Sequence, residues 1–534
     1  MENNNNTNDI MQGQPCPPPC PQPYPQPYPQ PYPQPYPPRY PQYGAQPVKR
    51  VKEKPVYDRK EKVLSVFVMI AAFCFIRYVV FHAMGFITTG LFIAVITAAI
   101  IYMKKRECSF SGFNRLLTAI LYVFSFVFSI TANNFIKTLD SMFLVGAIAY
   151  LVYSVGAGNK EVDRFLPFAL AKSLFGQPFS AFTKQTDIAS DSLSDSKTAS
   201  NIKYIIIGLL LTIPLTIVVA LLLMSADDAL NDMLVGLFDR LFSENIWTVI
   251  LQLCLALPCS LYIFGMLYSN THRDPLKALD PNVCTQKIFN MRFVSNLIVY
   301  TAVTPICILY VMFFISQANY FLSAFTGNLP DGFTYADYAR QGFFELFVVA
   351  LINLGVLCFM SLHSKKAGRE KPKALKFYSI IISVFTIILI ATAMSKMVLY
   401  IDRYGLTELR VYTSWFMILL SLIFVMVIIK QFRFDMKFAK HLCVIFTIMF
   451  GVLCFSRPEA IIAKYNTEMY RSGQLKELDT DAILNMSDDG LLAALNEGAV
   501  TAEEINDVKY AHYERRTYGR YNIPSMILDS MTEE

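Results

Sequence analysis

The sequence predicts an all-α integral membrane protein of about 11 transmembrane helices, N-terminus inside, C-terminus outside, with a disordered Pro-rich N-terminal tail. Three observations predict this. Of 534 residues, 54% are hydrophobic and only 16% are charged, a balance unlike that of a soluble chain of this length. Apolar runs of roughly 20 residues recur, the length that crosses a ~30 Å hydrocarbon core at ~1.5 Å per residue. Between those runs, Lys and Arg alternate from rich to poor segments, the pattern by which positive loops stay cytoplasmic.

Residues 1–60 form the tail, and no signal peptide is expected ahead of the first apolar run. Sixteen of the 28 prolines lie in the first 50 residues, and PQPY repeats four times from Pro21 to Tyr36. Such a segment cannot bury a core, so polyproline II with disorder is expected. PPRY at 37–40 matches a ligand pattern for aromatic-lined proline-binding modules, which would make a protein partner of this tail. Cys16 and Cys20 in CPPPC are too few ligands to hold a metal unaided.

Residues 61–456 form the polytopic transmembrane domain. Its runs lie near 63–81, 85–103, 116–135, 139–156, 204–224, 246–268, 294–316, 343–362, 377–400, 411–429 and 438–455. With the N-terminus inside, 32 of the 47 Lys and Arg fall on inner segments and seven in outer loops, one of them Lys137; eight are in the C-terminal tail. The loop at 157–203 carries an amphipathic stretch, FLPFALAKSLFGQPF, suited to the inner interface. The following TDIASDSLSDSKTASN reads as a flexible linker. On the outer side, ADDALNDMLVGLFDRLF at 226–242 reads as an interface helix, and Asp228 with Asp232 on its polar face is better explained by solvation than by a cation.

Two outer loops share a design: GFTYADYAR at 332–340 and GLTELRVYT at 405–413. In each, Gly permits a turn, and Thr334 or Thr407 stands where an N-cap would accept an orphan helix N–H. Hydrophobic staples are expected from Phe333 to Tyr338 and from Leu406 to Val411. Five charged residues near these loops, Arg340, Glu345, Lys396, Glu408 and Arg410, make a candidate polar vestibule at the outer boundary, where a charge costs less than at the bilayer centre. Pro214, Pro258 and Pro305 fall near the midpoints of three consecutive spans and are candidate kinks; each removes a backbone hydrogen bond.

Residues 457–534 read as an extracytoplasmic acidic tail of short helices, with 15 Asp and Glu against eight Lys and Arg. Ser456 with Glu459 and Thr501 with Glu504 have capping-box spacing, and Gly473 is a helix stop. No hydrolase, protease or nucleotide-binding motif occurs, and the five His are dispersed. Nothing calls for a cofactor, a metal or catalytic residues. Nucleic acid is not needed as a partner, because topology accounts for the basic residues; the lipid bilayer is.

GFTYADYARQGFFELFVVALINL (332–354), YGLTELRVYTSWFM (404–417), SADD (225–228) and PEAIIAKYN (458–466) resemble a family of bacterial multi-pass membrane proteins catalogued as a domain of unknown function. The resemblance spans roughly 200–520 and implies a bacterial cell membrane and this topology. It implies no activity. Three functions fit: a transporter or permease; a membrane sensor or envelope scaffold; and, third, an envelope enzyme acting on lipid-linked substrates, for which Asp227, Asp228 and Asp232 would have to serve.

Overall fold

The computed structural model describes residues 57–192, isolated positions between 208 and 225, and residues 244–272, 280–326, 343–365, 372–433, 435–511 and 521–532. The tail, Pro214, Asp228, Asp232, the loop at 332–340 with Arg340, and most of the span at 204–224 lie outside them. Among the described residues all regular structure is helical, apart from one isolated parallel bridge between Val294 and Ser364.

Among the described residues, ten helices are long and apolar enough to cross a membrane: α1 (Arg59–Phe81), α2 (Phe86–Lys105), α3 (Gly112–Ile130), α4 (Asn134–Ala157), α5 (Glu244–Thr271), α6 (Asn296–Thr326), α7 (Phe343–His363), α8 (Lys373–Tyr404), α9 (Glu408–Phe432) and α10 (Phe438–Phe455). They match every expected span except the one largely outside the described residues. Local chemistry sets several of their ends. Ser111 caps α3 by accepting from the Asn114 N–H at 3.2 Å, and Asn133 caps α4 by accepting from Ile136 N–H at 2.9 Å. Gly158, at φ +68°, closes α4 in the left-handed conformation that favours glycine. Pro258 and Pro305 sit inside α5 and α6, which continue through them.

The helices pack into two cores. The first joins α1 to α5 with α10, around Leu64, Phe92, Leu121, Phe128, Leu144 and Phe264. The second joins α6 to α9, around Val303, Leu346, Ile382, Ala393, Met417 and Phe424. Inside it, Tyr310 donates to Asn353 at 2.6 Å, and Asn353 donates to Thr386 at 2.9 Å. Such bonds between membrane helices average only about 0.6 kcal/mol, so they fix helix register more than they add stability.

Within α1–α4 and within α5–α10 neighbouring spans alternate in direction, while α4 and α5 run parallel, with Gly156 against the Asn270 carbonyl at their C-terminal ends, so the molecule has a near end, where α1 begins, and a far end. The far end carries five further helices: α11 (Pro458–Arg471), α12 (Thr480–Leu484), α13 (Asp488–Asn496), α14 (Ala502–Ala511) and α15 (Ile523–Thr532). They share a small core of Ala463, Ile483, Leu492, Val500, Ile505 and Leu528. The Thr501–Glu504 box forms as expected, with Glu504 accepting from Thr501 N–H at 2.7 Å, and Gly473 ends α11 at φ +74°. The box expected at Ser456 does not form. The Ser456 hydroxyl donates to the Leu453 carbonyl instead, Arg457 occupies the cap position, and Glu459 is drawn elsewhere by stronger donors.

At the near end, the segment after α4 does more than lie on a surface. It is built from short helices over Leu166–Ala171, Lys172–Gly176, Gln177–Ser180 and Lys184–Ser192, so the first part of the expected linker is helical. The buried Gln185 amide donates to the Ser65 carbonyl at 3.0 Å and to Ser260 Oγ at 2.7 Å, tying the segment to α1 and α5. Ser260 is 11 residues from the end of α5 at Thr271, about 16 Å along the axis at 1.5 Å per residue. Gly265 makes the approach possible: a Cβ there would collide with the Pro178 carbonyl oxygen.

Candidate functional site

The far-end helices are held to the membrane spans by two buried carboxylates. Asp489, in the first turn of α13, accepts from the Thr131 hydroxyl, from the Ala132 N–H at 2.7 Å and from Arg457 Nε at 2.6 Å. Its residue is 0% exposed. Glu459, in the first turn of α11, accepts from Asn133 Nδ2 at 2.5 Å, from Ser487 N–H at 2.8 Å and from the Ser487 hydroxyl. Asn133 Nδ2 also donates to the Tyr412 hydroxyl at 3.0 Å, which brings α9 into the same network. The turn between α3 and α4 is thus read atom by atom by the C-terminal helices.

A second contact joins α11 to the turn between α8 and α9. Asn466 accepts from Leu406 N–H at 2.7 Å and donates to the Leu406 carbonyl at 2.9 Å, satisfying both backbone groups with one amide. Gly405 leaves room for it: its φ is +72°, and a Cβ would stand 2.5 Å from Asn466 Oδ1. A Gly405→Ala substitution therefore combines left-handed strain with a clash. It should cost about 1–3 kcal/mol for the backbone alone, seen as a lower midpoint for unfolding of the far-end helices; an unchanged midpoint would refute the contact.

Between this turn and the segment before α12 lies a cleft of about 750 Å³, lined by Arg403, Glu408, Asn466, Lys476, Glu477 and Asp479 among others. That volume suits a small molecule. Glu408 lies close enough to Glu459 for its charge to act on the Glu459 carboxyl. Burial, followed by the Glu408 charge, pushes Glu459 up to about 7, against the opposing pull of Ser487.

Of the five charged residues predicted to form a vestibule, Arg340 lies outside the described residues and the other four separate. Glu408 lines the cleft. Arg410 turns away, donating to the Tyr404 carbonyl at 3.1 Å and to that of Gly405, with its guanidinium 4.1 Å from the Tyr400 ring centre. It closes the C-terminus of α8, where carbonyls are unpaired and a cation is favoured. Glu345 and Lys396 face each other electrostatically between α7 and α8 and do not line the cleft. Thr407 occupies the N-cap position of α9 without a side-chain cap bond.

A family model described as a domain of unknown function (DUF4153) matches residues 116–497, from α3 through α13. The chain belongs to this family. No curated protein and no solved structure shows a match to it. The residues that build the cleft and both carboxylate anchors of this DUF4153 chain all fall within the matched region. The helices α1 and α2 lie before it.

Sequence reasoning missed Glu459, Asp489, Asn133 and Asn466 as a set. The available signal was in PEAIIAKYN, where Glu459 and Asn466 stand seven apart and so share one helix face. It also left His272 without a partner. Glu61 of α1, 3% exposed, accepts from Arg106 at 2.6 Å and from His272 Nε2 at 2.9 Å, clipping α1, α2 and α5 together at the near end. Among the described residues no group of three His, Cys, Asp or Glu is placed to hold a metal ion.

Proposed function

We propose that this multi-pass membrane protein is a permease of the bacterial cytoplasmic membrane, with the near end inside, that takes a small polar or zwitterionic solute from the far-end cleft. The observation that carries this reading is the helical segment at 166–192, which enters the first bundle from the near end and is broken at Ala181–Thr183, close to its contact with mid-span Ser260. Interrupted backbone at membrane depth is tolerated where it is enclosed by protein or lines a polar path, and broken segments of this kind serve as solute sites in transporters. The cleft supports it from the other side, because Arg403 and Lys476 with Glu477 and Asp479 offer both signs of charge to a zwitterion. Lys and Arg concentrated at the near end support the orientation.

The test is uptake. Proteoliposomes holding the purified protein, incubated with a bacterial metabolite extract, should accumulate at least one component over protein-free liposomes by mass spectrometry. A Glu408→Gln variant of equal abundance should lose most of it. Identical contents with and without protein would remove the transport reading.

Sensing is the second reading, favoured by the direct bonding of the C-terminal helices to turns of both bundles. In that case a solute binds the cleft without crossing, and the Pro-rich N-terminal tail, through PPRY, docks the protein partner that receives the signal.

A further inference from the structure

Asp140 lies in α4, six residues after the helix start, about 9 Å along the axis at 1.5 Å per residue. It is 0% exposed, and neither of its carboxyl oxygens has a hydrogen-bond partner. On its own helix it shares a face with Asn133 and Lys137, spaced seven and three residues away. The sequence reading placed Lys137 in an outer loop; the structure buries it a turn inside α4, with its ammonium donating to the Met84 carbonyl at 2.6 Å. That bond points the cation to the far-end turn before α2.

The neighbours of Asp140 are otherwise apolar. Ile136 and Leu144 belong to the core that also holds Leu121, Phe124, Leu453 and Cys454. The thiol of Cys454, from α10, is near enough to feel the Asp140 charge. Of the charged residues on the packed helices, Lys104 and Lys105 of α2, Arg115 of α3, and Lys440 and His441 of α10 sit toward the near end, in the other half of the span.

We propose that Asp140 is a proton-binding site within the membrane, its carboxyl neutral when loaded and emptied only when the surrounding helices shift. An ionised carboxylate with no partner in hydrocarbon is the costliest state open to this side chain. A metal cation would need six or so oxygen ligands around it, and the described residues supply no such group. A proton needs only the carboxyl itself. In the permease reading, on which this clause rests, Asp140 is the coupling-ion site.

An apolar carbodiimide, dicyclohexylcarbodiimide, adds across a protonated carboxyl in the membrane and leaves a stable acylurea, whereas a water-soluble carbodiimide does not reach it. Full-length protein in membranes at neutral pH should carry the apolar adduct on the peptide containing Asp140. Asp140→Asn should abolish it, while Asp140→Glu retains it. Absence of the adduct in the folded protein, or equal labelling by the water-soluble reagent, overturns the proposal. Melting provides the independent check: Asp140→Asn imitates the neutral acid and should leave the midpoint at neutral pH close to wild type, whereas a large drop would mean an ionised, paired Asp140. Labelling that persists in protein without uptake would sink the permease reading alone.

Discussion

Asp489→Ala is expected to release the C-terminal helices from the membrane spans. The substitution removes the acceptor of three donors at once, leaving the Thr131 hydroxyl and the Ala132 N–H buried and the Arg457 guanidinium without its carboxylate. Breaking one side of a buried pair costs about 3–5 kcal/mol, because the remaining charge stays desolvated. Each orphaned neutral donor adds about 1–3 kcal/mol unless water reaches it. The carboxylate side chain is 1% exposed but the arginine is 33% exposed, so Arg457 can turn to solvent and the lower part of that range applies. Limited proteolysis should then cut between 457 and 532 much faster than in wild type, while cleavage within the spans is unchanged. Asp489→Asn, which keeps one acceptor oxygen, should fall between the two. Unaltered protection in Asp489→Ala would show that the small apolar core of α11 to α15 docks without this anchor.

The two anchors also explain what was legible beforehand. Apolar length and the placement of Lys and Arg are properties of continuous segments, so ten spans could be read from the sequence to within about five residues, apart from the end of α6, which runs on to Thr326. Turn chemistry was legible where donor and acceptor are neighbours in sequence, as at Thr501 with Glu504 and at Gly405. It misled at Ser456, because Glu459 could satisfy the local box or the distant pair of Asn133 and Ser487, and only the fold brings those within reach. Asp489 was hidden for the same reason, since two of its three partners, Thr131 and Ala132, are more than 350 residues away. Arg410 looked like a vestibule charge because sequence spacing cannot tell a residue facing a cleft from one folded back on the preceding carbonyls. The helix at 184–192 was masked by its composition: within the stretch that read as a linker, Asp191 accepts from Lys62 of α1 at 3.1 Å, and just ahead of it Gln185 bonds Ser65 and Ser260 of the spans.

Docking of the far-end helices should weaken as pH rises from about 4.5 to about 7. The Glu459 carboxyl is held up to about 7 in the folded protein by burial and the Glu408 charge, from an ordinary value of 4.5. The folded state therefore binds a proton that the undocked state has already lost in this window, so its stability falls as pH rises. The contribution is fully present below 4.5 and gone above about 7, and it amounts to roughly 3 kcal/mol at about 1.4 kcal/mol per pH unit. Burial sets the sign and the Glu408 charge adds to it, because loss of the Glu459 proton places two like charges in a partly closed cleft. Glu459→Gln carries its hydrogens at every pH, and should keep the far-end helices protected at pH 8 while erasing the slope. Amide exchange of α11 and α13 measured across this range distinguishes the cases. Protection that rises with pH, or a Glu459→Gln variant that retains the wild-type slope, would show that a different group governs the clasp.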